Sequence, residues 1–101
     1  MAEDTIWSLT IPAQDPWEGK WHIVLFDIPK DKRKRRDTFR LRLKELGFIR
    51  YQDSVWVYPF PVEDTIRKIA GFYGLTPYVS YVTADSLTDE KKLLRHFNVT
   101  S

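Results

Sequence analysis

The sequence predicts an α+β domain of the ferredoxin-like type: a four-stranded antiparallel sheet with two helices on one face, in the order βαββαβ. Three observations carry that expectation. Residues 21–28 and 78–83 are apolar or aromatic at both parities, as in strands covered on both faces. Two stretches instead follow a helical period, one with Phe39, Leu43 and Leu46 in a stripe and one with Ile66, Ile69, Ala70 and Tyr73. Between them, residues 48–52 and 54–58 are rich in aromatic and β-branched side chains and meet tightly at Asp53, as a hairpin does.

Taken in order, residues 1–20 read as an N-terminal arm or linker, with Ile6, Trp7, Leu9 and Ile11 ahead of the breakers Pro12, Pro16 and Gly19. Residues 21–101 form the domain. The first strand is stopped by Pro29, and Asp31 is placed to cap the helix that follows. Gly47 ends that helix as a left-handed cap, while Leu41 points away from its packing stripe. The second helix, at 62–72, starts with Glu63 and Asp64, where the helix dipole favours anions. A short helix at 88–95 and a tail at 97–99 suited to a sheet edge complete the chain.

With 101 residues and no cysteine, the chain is one small domain without disulfides, thiolate metal ligands or a cysteine nucleophile. Its N-terminus has no basic and apolar leader pattern, and no apolar run is long enough for a bilayer, so a cytoplasmic location and no membrane partner are expected. Two helices on one face leave the other face of the sheet open. That face should be apolar, because Trp21, Ile23 and Leu25 alternate with a fully apolar row and Trp56 and Tyr58 add to the surplus. A patch of that size predicts a homodimer through the sheet face, with these five residues at the interface, or partial cover by the N-terminal arm.

Charge is distributed unevenly. The formal net charge is only +2, yet residues 30–44 hold nine cations against Asp31 and Asp37. Such a helix suits the neutralisation of phosphates on duplex DNA or RNA, which makes Lys32, Arg33, Lys34, Arg36, Arg40 and Lys44 the candidate nucleic-acid-binding residues. The competing reading is a solvated surface helix. Asp27 is the candidate catalytic residue: a carboxylate at a strand end which, doubled by a two-fold axis, would bind magnesium or manganese and activate water. The competing reading pairs it with Arg35 or Arg36. No cofactor is required otherwise. His22 and His96 are far apart in sequence, and no phosphate-binding glycine loop, zinc-binding His-Glu pair or nucleophile elbow is present.

Several of these residues also carry a family likeness. Trp17-Glu18-Gly19-Lys20-Trp21, Phe26-Asp27-Ile28-Pro29, Arg33 to Arg36 with Arg40-Leu41-Arg42, Leu46-Gly47-Phe48 and Ser54-Val55-Trp56-Val57-Tyr58-Pro59 resemble the central domain of PaaX-type transcriptional repressors. That domain is in turn similar to the CRISPR-associated Cas-two family of small ferredoxin-like dimers. The first resemblance implies a dimerising domain of a transcriptional regulator with nonspecific nucleic-acid contacts, since operator binding in such repressors belongs to an N-terminal winged helix. The second implies a metal-dependent endoribonuclease with Asp27 as metal ligand, or a DNA-binding partner of the CRISPR integrase.

Overall fold

The computed structural model describes residues 16–99; the expected N-terminal arm lies, apart from its last residues, outside them. Strands β1 (Trp21–Phe26), β2 (Ile49–Gln52), β3 (Val55–Tyr58) and β4 (Val79–Ala84) form one antiparallel sheet ordered β2-β3-β1-β4. Helices α1 (Arg33–Leu46) and α2 (Glu63–Phe72) complete the βαββαβ order, and α3 (Glu90–Phe97) follows the last strand. This is the ferredoxin-like arrangement that the sequence predicts.

Local chemistry explains the turns. After Pro29 the chain makes a 3-10 turn at Lys30–Lys32, closed by the Lys32 N–H on the Pro29 carbonyl at 2.9 Å. That turn displaces the expected cap: the residue preceding α1 is Lys32, no side chain caps the helix, and Asp31 lies within the turn against Lys32. At the other end Gly47 takes φ 103°, and the Phe48 N–H reaches back to the Leu43 carbonyl. A side chain at position 47 would also place its Cβ 3.1 Å from the Tyr58 ring, so both backbone and space require glycine.

Alternation along the strands divides the apolar residues between two cores. Val24 and Phe26 of β1 and Trp56 of β3 face the helices and pack with Phe39, Leu43, Ile66, Ile69 and Leu75. The Phe39 ring meets Phe26 edge-on at 5.4 Å. On the opposite face Trp21, Ile23 and Val57 pack with Trp17 and Leu93, joined by half-buried Leu94, Phe97 and Val99.

The second core corrects three expectations. The sheet face is not open, because α3 lies across it: Trp21 is fully buried, and its indole N–H donates to Glu90 at 2.7 Å. Residues 97–99 accordingly form no edge strand; α3 runs to Phe97, and Asn98 caps it in the left-handed region. The five residues expected at one interface also do not share a face. Trp56 pairs with Val24 and Tyr58 with His22, which turns both toward the helices, opposite Trp21, Ile23 and Leu25. α3 leaves part of its face uncovered, where Leu25 and Val55 are half-buried and Val82 is 44 % exposed.

The buried histidine of β1 is fully partnered. With the His22 proton on Nε2, that N–H donates to Glu18 at 2.6 Å, while the Tyr81 hydroxyl donates to Nδ1 at 2.6 Å and accepts from the Val62 N–H at 3.0 Å. Three segments, the lead-in to β1, strand β4 and the start of α2, are thereby joined by one polar chain.

Candidate nucleic-acid interface

Helix α1 is held by few residues and carries much charge. Only Phe39 and Leu43 are buried along its fourteen residues. Its first turn contains no acid, so Arg33, Lys34, Arg35 and Arg36 face the positive end of the helix dipole, an arrangement costing roughly 0.3–1 kcal/mol per cation. Packing of the apolar stripe offsets this cost.

The eight cations from Lys32 to Lys44 fall into three groups. Arg42 turns toward α2, where its Nε donates to the Tyr73 hydroxyl at 3.3 Å and its guanidinium pairs with Glu45. The Tyr73 hydrogen bond and then Glu45 push its pKa above the ordinary arginine value, against the opposing effect of burial. Lys32, Arg36 and Arg40 have local partners: Asp31 at 3.6 Å, Asp37 at 3.1 Å and the Asp53 carbonyl at 2.8 Å. Lys32 also lies 5.8 Å from the Tyr78 ring centroid. Arg33, Lys34, Arg35 and Lys44 are exposed and make no ion pair among the described residues.

Of the six residues singled out from sequence, Arg33, Arg36, Arg40 and Lys44 recur about once per turn along α1, roughly 5.4 Å apart, and the last two border β2. Lys34 lies outside that row and Lys32 precedes the helix. The sequence reading omitted Arg50, which β2 places across a groove from Arg40 and Lys44. Its position in a strand remote from the charge run hid it, and only the α1–β2 packing brings it into the same surface.

Asp27 follows the end of β1. Its N–H bonds the Tyr78 carbonyl at 2.9 Å, and its exposed side chain lines a shallow hollow with Leu25, Ser54, Val55, Tyr78 and Ser80. It pairs with neither Arg35 nor Arg36. Among the described residues, no three His, Cys, Asp or Glu side chains gather into a metal-binding group, so one chain supplies a single carboxylate where a divalent ion needs several oxygens.

The family model described as the PaaX protein central Cas2-like domain matches residues 14–94. The chain belongs to that family. No curated protein and no solved structure matches it. The match includes β1, the cationic helix and the hairpin, and it ends within α3, after Leu93 but before Phe97. In this PaaX-family domain no helix of the described residues is long and apolar enough to cross a membrane.

Beside the cationic row, the groove between α1 and β2 has a volume of about 510 Å³ and is lined by Asp37, Arg40, Leu41, Lys44, Phe48, Ile49, Arg50 and Trp56. Two donors in its walls, Arg40 Nε and the Trp56 indole N–H, are buried and find no acceptor among the described residues. Buried donors of this kind cost about 1–3 kcal/mol each.

Proposed function

We propose that this PaaX-type domain serves a transcriptional regulator by dimerising and by contacting the phosphate backbone of a duplex through α1. The observation behind the nucleic-acid contact is that Arg33, Lys34, Arg35 and Lys44 project from one helix without local counter-charges. Cations left free in this way are available to displace counterions from phosphates, giving sequence-tolerant binding that weakens steeply with salt. Dimerisation rests on the apolar strip beside α3, at Leu25, Val55 and Val82.

Titration of a duplex oligonucleotide at several salt concentrations tests the first element. Combined Arg33→Gln, Lys34→Gln and Lys44→Gln replacement should lower the slope of log K against log salt by about 0.9 for each phosphate that is no longer neutralised. Arg42→Gln, at the position turned toward Tyr73, should leave it nearly unchanged. An unaltered slope in the triple variant removes the phosphate role. Sedimentation tests the second element: Val82→Asp should convert a dimer to monomer, and a monomeric parent chain at micromolar concentration rules the dimer out.

A further inference from the structure

The groove between α1 and β2 combines features that phosphate binding does not use. Its helical wall, Asp37, Arg40, Leu41 and Lys44, is one face at i, i+3, i+4 and i+7. Within that face Leu41 is 50 % exposed beside buried Phe48 and Trp56, while Ile49, paired with Val57, borders the groove but turns its side chain to the other face of the sheet. An apolar side chain held at a groove mouth offers nothing to a phosphate. Three cations, Arg40, Lys44 and Arg50, surround this apolar strip. Arg50 pairs with Asp53 and Arg36 with Asp37, surface contacts that an incoming anion can exchange.

The remaining wall is a sheet edge. Among the described residues β2 pairs only with β3, so its outer backbone groups are unmatched. Ile49 and Arg50 are in regular register; the bulge comes after them, between Arg50 and Gln52. An extended peptide can pair there with main-chain hydrogen bonds while alternate side chains enter the groove, which a nucleic acid cannot do.

We propose that this groove docks an extended acidic segment of a partner protein, added as a short strand beside Ile49 and Arg50. One apolar residue of the segment packs on Leu41, and carboxylates two residues to either side of it, on the same face of the added strand, meet Arg40, Lys44 and Arg50. The inference goes beyond the nucleic-acid reading. It shares Arg40 and Lys44 with that reading, so its test is run without nucleic acid.

The probe is the synthetic peptide acetyl-Ser-Asp-Thr-Leu-Thr-Asp-Ser-amide, whose two Asp and one Leu share a face of an extended strand, titrated into the full ¹⁵N-labelled chain. The amide signals of Ile49 and Arg50 and the Trp56 indole signal should shift with saturation. Control peptides with Asn for Asp, or with Ser for Leu, should not saturate. Leu41→Asp and Lys44→Glu, both at exposed positions, should each raise Kd by about tenfold while signal dispersion stays intact. A duplex oligonucleotide titrated separately should move Arg33 and Lys34 but not Ile49 or the indole. The proposal is overturned by an absence of shifts up to millimolar peptide, by equal binding of the uncharged control, or by an unchanged Kd in both variants. Shifts of Ile49 and the indole by duplex and not by peptide would return the groove to nucleic acid.

Discussion

The two faces of the sheet are covered by different means. On one face, α1 and α2 lie within the βαββαβ unit and bury a continuous core around Phe39, Leu43, Ile66 and Ile69. On the other, an eight-residue helix added after the last strand, together with Trp17 from before the first, covers only the Trp21–Ile23 end. One cover belongs to the fold, while the other is an addition at its margins. Removing part of the first should therefore cost stability, and removing part of the second should in addition release a sticky surface.

The largest expected effect comes from the first face. Phe39→Ala removes a fully buried ring that meets Phe26 edge-on, and should cost about 3–5 kcal/mol by chemical denaturation. Leu93→Ala on the second face should cost about 2–5 kcal/mol, near the lower end because α3 can settle toward the sheet. The distinguishing result is a rise in self-association by sedimentation in Leu93→Ala alone. Equal self-association in both variants would erase the contrast between the covers.

A smaller effect is expected where the polar chain joins the elements. Tyr81→Phe leaves His22 Nδ1 and the Val62 N–H without their shared partner, at about 1–3 kcal/mol. The same residue gives a pH signature. Burial holds the Tyr81 phenol above its ordinary pKa of 10.0, and burial does likewise for Tyr58. A folded pKa above the unfolded one makes this contribution complete below about pH 10 and progressively lost as pH rises further. Melting temperature should therefore fall above that pH, and fall less in a Tyr58→Phe, Tyr81→Phe chain when each is compared with its own neutral value. The smallest effect is that of Glu90→Gln, which keeps an acceptor for the Trp21 indole and should cost less than about 1 kcal/mol.

The parts of the fold that depend on local pattern were legible in the sequence. The helical stripe through Phe39 and Leu43, the outward Leu41 and the left-handed Gly47 all follow from spacing and residue type. Partial cover of the second face by the segment holding Trp17 was among the expectations, but the cover by α3 was not read, although Leu93, Leu94 and Phe97 at i, i+1 and i+4 give a short helix an apolar side that must pack somewhere. Strand register was the second gap. Trp21 and Trp56 both read as sheet aromatics, and only the pairing of Val24 with Trp56 assigns them to opposite faces. In the candidate site, the charge run revealed α1, but which cations are pinned depended on Tyr73, Asp53 and Glu45, two of them outside the helix. Neither Arg50 nor the join of His22 to Tyr81, 59 residues apart, leaves a trace in any local window.

The unneutralised cations of α1 have a consequence for the free domain itself. Like charges one turn apart repel, and the buried stripe of Phe39 and Leu43 holds the helix together against that pressure. Added salt screens the repulsion, so at low ionic strength the melting temperature of the unbound domain should rise with salt while its grip on a duplex falls. The same side chains thus respond to ionic strength with opposite signs in the two states, and a bound polyanion relieves the helix of a pressure it bears when alone.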